Sequence, residues 1–182
     1  SITTIKAPPL EAPTVEVTTV TGIISNNITK KNFQFAYQYI YEDGEVSAIS
    51  PYSQLAVDTE DFLDGFGDTD SNLNRNAINI TYKHSRGDVS KIRILYRQGN
   101  FNNFSIFDEL ANDRSLTTGV AVFTNSTIGQ IVSDNEINKQ YDAVPLSAKS
   151  QVISGNRLTF GNYKEFYDNT TVSSQIFLDY NQ

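Results

Sequence analysis

Five aromatic residues stand at every second position of FQFAYQYIY: Phe33, Phe35, Tyr37, Tyr39 and Tyr41. Successive side chains of a strand point to opposite faces, so this spacing puts all five rings on one side and Gln34, Ala36, Gln38 and Ile40 on the other. A helix would scatter the same rings around its circumference. The pattern therefore commits the chain to a sheet with one face made for burial. Glu42, Asp43, Gly44 and Glu45 follow, and an Asp-Gly pair is a strong hairpin signal. Beyond it Val46 and Ala48 predict a second strand running to Val57, with Pro51 marking an edge or a bulge.

The rest of the chain agrees with a β architecture. Of its 182 residues, 38% are hydrophobic and 19% charged, a balance that suits strands and loops better than helical bundles, whose exposed faces need Glu, Lys and Arg. TVEVTTVTGII is rich in β-branched residues and predicts a strand bent near Gly22. NAINITYKH and VSKIRILYRQ flank SRGD and predict a second hairpin. FSIFDEL, GVAVFTN and GQIVS predict further strands, SQVISGNRLTFGNY a strand pair turning at Ser154, Gly155 and Asn156, and SSQIFLDYNQ a last strand. No window of ten or more residues has the three-and-four apolar spacing of a helix.

Three segments follow from this pass. Residues 1–13, with Pro8, Pro9 and Pro13, read as an extended arm or linker. Residues 14–135 read as a β-sandwich module carrying a long acidic loop at 58–76, and residues 136–182 as a β-rich segment leading into or belonging to a further domain. Ser1 at the start, the absence of Met and the linker-like opening carry the expectation that the chain is a piece of a longer protein.

Little in the sequence is suited to catalysis. With one His and no Cys, any Ser-His-Asp arrangement must use His84, whose neighbour Ser85 is adjacent only in sequence; the simpler reading is an exposed turn histidine. Asp68 and Asp70 open like a calcium loop, but the sixth position is Leu73 rather than Gly and the twelfth is Asn79 rather than Glu. A looser oxygen site at Asp64, Asp68 and Asp70 stands beside the simpler reading of a solvated acidic loop. Arg86, Gly87 and Asp88 form the tripeptide of adhesive turns, and Gly-Asp is also ordinary turn chemistry. The net charge of −7 disfavours phosphate backbones as direct partners, and no apolar run approaches the length of a membrane-spanning helix. The expectation is a non-enzymatic protein without a cofactor, acting away from membranes and nucleic acid.

YQYIYEDGEVSAISPYS is similar to the last two strands of fibronectin type III domains, with Tyr37, Tyr39, Gly44, Ser47 and Ser50 on the pattern. KIRILYRQGNFNNFSIFDEL resembles their third strand and the one after it. That resemblance implies an antiparallel β-sandwich. A standard domain would place the segment at Lys91 before the segment at Phe33, so either the sandwich is permuted or elaborated, or two domains share these strands. The succession of Pro-rich lead, FQFAYQYIYEDGEVSAISPYS, VSKIRILYR and YDAVPLSAKSQVISGNRLTFGNY looks like a segment of large tail or neck virion proteins of tailed bacteriophages, crAss-like phages among them. This implies a virion location, a homo-oligomeric ring around the DNA passage, partners among other virion proteins and copies of itself, and no catalytic residues. The alternative is a fibronectin-like module of a cell surface, adhesive or carbohydrate-binding, using Arg86, Gly87 and Asp88 or exposed tyrosines.

Overall fold

The computed structural model describes residues 2–3, 6–29, 31–56, 75–99, 102–137 and 147–164. The chain divides into two units, one of Lys6–Asp142 and one of Ser1–Ile5 with Ala143–Gln182. Its described strands are β1 (Ile2–Thr3), β2 (Thr14–Thr18), β3 (Phe33–Tyr41), β4 (Ala77–Lys83), β5 (Val89–Gln98), β6 (Ser105–Ala111), β7 (Thr118–Phe123), β8 (Ser147–Ser154) and β9 (Arg157–Lys164), with one helical turn, α1 (Asp134–Ile137). The acidic tract holding Asp64, Asp68 and Asp70 lies outside the described residues, as does the last expected strand, SSQIFLDYNQ.

The larger unit is an antiparallel β-sandwich. One sheet has the order β2-β4-β7 and the other β3-β5-β6. Between them lie the rings of Phe33, Phe35, Tyr37 and Tyr39, with Tyr41 packed alongside, together with Ile78, Ile80 and Tyr82 of β4, Ile92 and Ile94 of β5, and Ala121 and Phe123 of β7. Phe123 is the hub of this layer: its ring centroid lies 5.0 Å from Phe33, 5.2 Å from Phe35, 4.9 Å from Tyr96 and 5.1 Å from Phe107. Phe107 reaches the hub because the β5–β6 register shifts at Ile94/Leu95 and leaves it without a direct cross-strand partner. The shift works as a bulge, re-aiming one side chain.

Two sequence expectations are corrected by this topology. The segments flanking SRGD do not pair with each other: β4 pairs with β2 and β7, and β5 with β3 and β6. SRGD is therefore an arch between sheets and not a hairpin turn. Both strands put apolar side chains into the same core, and opposing faces meet that demand as well as neighbouring ones. GQIVS is likewise not a strand; it makes one bridge, from Ile131 to Ser105.

A third correction concerns residues 46–56, which flank β3 without forming the regular strand expected there. The amides of Ser47, Ser50, Ser53 and Ala56 donate to the carbonyls of Tyr39, Tyr37, Phe35 and Phe33 at 2.8–2.9 Å. Nine steps of this segment thus accompany six of β3; at about 3.4 Å per strand residue that is an advance of only about 2.3 Å per residue, too short for β or polyproline backbone. Serine makes such a coil possible. The amides of Tyr39, Tyr37 and Phe35, which a regular strand would meet with carbonyls, donate instead to the hydroxyls of Ser47, Ser50 and Ser53 at 3.0 Å each. Each hydroxyl in turn donates a hydrogen bond to the next carbonyl, on Ala48, Pro51 and Gln54. Two displaced serine carbonyls are taken up by glutamines on the outer face of β3, Gln38 Nε2 donating to Ser47 O and Gln34 Nε2 to Ser53 O. The amides and hydroxyls of Ser47, Ser50 and Ser53 and the amides of Phe35, Tyr37 and Tyr39 are thus all hydrogen-bonded, as burial requires.

A smaller cluster covers the outer face of the β3 sheet, with Ala36, Ile49, Leu95, Phe104 and Val132 buried together. Arg93 closes it off, bonded at 2.9 Å to Glu109 of β6 and at 2.9 Å to Glu136 of α1. At the N-terminal end, Pro9 and Pro13 are buried, Tyr41 Oη donates to Ala7 O at 2.7 Å, and Lys6 pairs with Asp43 at 2.8 Å.

The smaller unit holds a sheet of order β1-β8-β9. Gly155 and Asn156 both have positive φ, 56° and 64°, and Ser154 faces Arg157; this is a two-residue type I′ turn, which matches the twist of its strands. The turn expected at Ser154, Gly155 and Asn156 is where the sequence placed it.

Candidate functional site

The arch between β4 and β5 carries an exposed polar loop on a fixed base. Asn112 anchors it: its Oδ1 accepts from the Ser85 amide at 3.0 Å, and its Nδ2 donates to the carbonyls of Ser85 at 2.8 Å and Val89 at 3.1 Å. The His84 amide donates to Thr117 O, and the Glu42 amide to Asp88 O. Above this base Arg86, Gly87 and Asp88 are exposed. The geometry presents a cation and a carboxylate on a short, pinned loop.

His84 differs from the expected exposed turn residue. It is partly buried, its ring lies 5.3 Å from Tyr82, and its Nδ1 accepts from the Asp113 amide at 3.1 Å. The same nitrogen lies 3.2 Å from Asn112 Oδ1, so Asn112 and Asp113 both hold the ring in place. The Ser85 hydroxyl accepts from the Gly87 amide. The two residues therefore form parts of a loop scaffold.

A second polar feature lies at the opposite end of β5, where it pairs with the start of β3. The Arg97 guanidinium sits 4.9 Å from the ring centroids of both Tyr52 and Phe104, and its Nε donates to Gln34 Oε1 at 3.0 Å. Beside it is an open cleft of about 480 Å³ with Arg97, Gln98, Asn102, Asn103 and Ser105 on its wall. The sequence reading missed this shelf. Arg97 and Gln34 lie on predicted strands, but that they face each other depends on the β3–β5 register, where Gln34 is opposite Arg97.

Burial governs the titration of the aromatic layer. It raises the phenol of Tyr37 far above the ordinary tyrosine range, and raises Tyr39, Tyr41 and Tyr82 less. Those rings hold their protons across the physiological range, as framework residues do. Glu109 goes the other way: partial burial pushes its carboxyl up, but the hydrogen bond and charge of Arg93, aided by Lys91, outweigh that and leave it below the usual range.

Among the described residues no three His, Cys, Asp or Glu side chains are grouped to hold a metal ion; Asp64, Asp68 and Asp70 are not among them. No helix among the described residues is long and apolar enough to cross a membrane. No protein-family model, curated protein or solved structure matches the chain.

Proposed function

We propose that this chain is a structural and interaction module of a bacteriophage virion, in the tail or neck assembly, working through contacts with other virion proteins and with copies of itself in a ring. The observation that carries the proposal is the β8–β9 hairpin. All of residues 149–159 are exposed, and they include Val152 on one face and the cross-strand pair Ile153–Leu158 on the other. Strand β1 pairs only with the hairpin's first two residues, Ser147 and Ala148, and the two-stranded remainder is marginal by itself in water. Apolar side chains exposed on both of its faces mark a surface completed by a partner.

The strand order supports a fibronectin type III-like sandwich of permuted rather than elaborated kind. Immunoglobulin-like sandwiches put the third, sixth and seventh strands in one sheet and the first, second and fifth in the other. Here β6, β5, β3 and residues 46–56 lie side by side in that sequence, taking the places of the fourth, third, sixth and seventh strands. Strands β2, β4 and β7 take the places of the first, second and fifth. On this reading the pair that ends a standard domain comes second in this chain.

Mass spectrometry of phage particles purified from the sample that carries the coding sequence tests the proposal. Peptides of this chain, such as QGNFNNFSIFDELANDR, are expected in stoichiometric amount; purified particles without them overturn it. The pinned, exposed Arg86-Gly87-Asp88 loop favours a second reading, an adhesive module of a cell surface. In that case the chain binds integrin-bearing cells and D88E abolishes the binding, whereas equal binding by the variant removes the reading.

A further inference from the structure

The two sheets of the larger unit have four edges, and three of them are guarded. β2 is preceded by the buried Pro13 and carries the exposed Glu16. β6 carries Asp108 and Glu109, both exposed, and is bridged at Ser105 by Ile131. The coil of residues 46–56 turns its amides inward to β3 and includes Pro51. Charge, proline, irregular backbone and a covering segment are the usual devices that keep a sheet from pairing with another molecule.

Among the described residues β7 has none of them. Among the described residues no strand pairs with its outer edge. The tract from Leu116 to Ser133 holds no charged residue and no proline in a chain of net charge −7. Val120 and Val122, on the solvent face of β7, are 58% and 46% exposed. The sequence is also self-complementary. In an antiparallel pairing about a two-fold axis at Ala121, Val120 of one copy faces Val122 of the other on the outer face. Gly119 then faces Phe123 on the inner face, and no like charges oppose.

We propose that β7 pairs antiparallel with the β7 edge of a second copy of this chain, joining two sheets into one of order β2-β4-β7-β7-β4-β2 across a two-fold axis. The absence of charge singles out a second copy as the occupant: the rest of the acidic chain repels its like, and this edge does not. The inference rests on the edge alone, and it stands or falls on the isolated chain whether or not the chain is found in particles.

Analytical ultracentrifugation over a concentration series tests it, because a contact of six residues is small and shows itself only as concentration rises. The wild-type chain is expected to pass from monomer to dimer, and V120K and V122K, changed at exposed positions that leave the core intact, to stay monomeric at every concentration. A wild-type chain that is monomeric throughout overturns the proposal, as does one whose self-association the lysines do not alter. Register has its own readout, since the chain has no cysteine. An oxidised mixture of V120C and V122C is expected to give a disulfide-linked dimer that neither variant gives alone; equal cross-linking by each alone overturns the two-fold pairing.

Discussion

Replacing Ser50 by alanine probes the hydroxyl row in isolation. Ser50 is fully buried; its Oγ accepts from the Tyr37 amide at 3.0 Å and donates to the Pro51 carbonyl at 2.8 Å. The methyl of alanine fits where the Cβ already stands, so no cavity of consequence opens. Pro51 is exposed, and water can replace the donor its carbonyl loses. The Tyr37 amide has no such recourse: it stays behind a ring that is 1% exposed, and an unsatisfied buried donor costs about 1–3 kcal/mol. For a chain of this length that corresponds to a fall in melting temperature of about 2–12 °C. The exposed Ser126→Ala serves as control, with an expected change within about 0.5 kcal/mol. Thermal unfolding by circular dichroism reads the size of the effect, and amide hydrogen exchange reads its place: Tyr37 loses protection in S50A, Tyr39 in S47A and Phe35 in S53A. If S50A matches S126A in stability and the Tyr37 amide keeps its protection, the hydroxyl is not the acceptor that replaces the missing strand, and the reasoning fails.

Three further outcomes follow from the same core. Phe123→Ala removes the ring that four others touch and is expected to cost about 3–5 kcal/mol in denaturant unfolding; a loss below 1 kcal/mol would mean that the hub collapses without penalty. Gly119→Ala would bring a Cβ to 2.5 Å from the Tyr82 ring and 2.8 Å from His84 Nε2, an overpacking worth about 1–3 kcal/mol. That cost should shrink in a Tyr82→Leu background, and an unchanged cost there would place the clash elsewhere. Burial raises the phenols of Tyr37, Tyr39 and Tyr82 above their ordinary value, so the folded state keeps protons that the unfolded chain releases near pH 10. Stability from this source is whole below about pH 10 and falls as pH rises through the folded-state values. Urea midpoints at pH 8, 9.5 and 11 should therefore decline, and less steeply in Tyr37→Phe; a flat profile contradicts the burial.

The aromatic alternation of β3 was legible because a period of two with five rings has one physical solution, a strand with a buried face. The Ser154 to Asn156 turn was legible for a similar reason: Gly and Asn tolerate the positive φ that a two-residue turn demands. Pairing was harder to read. Ile92 and Ile94 alternate about Arg93 as Ile78, Ile80 and Tyr82 do about Asn79 and Thr81, and alternation says that a strand has an inner face without saying which sheet it joins. SRGD thus suggested a hairpin where the chain crosses the sandwich. The spacing of Ser47, Ser50 and Ser53 was in plain view as a period of three, a period that no strand has, but its meaning, hydroxyls in place of carbonyls, shows only once the segment is seen beside β3. His84 looked like a turn residue because its partners Asn112 and Asp113 are distant in sequence and meet it only through the fold. The shelf at Arg97 depended likewise on register, where a shift of one residue sends a side chain to the other face.

Electron cryo-microscopy of purified particles tests the virion role most directly. The expected result is tail or neck density that fits this sandwich in repeated copies, with residues 46–56 alongside β3 and the β8–β9 hairpin covered on both faces by neighbouring protein. Particles whose tail and neck density is fully assigned to other chains would contradict it.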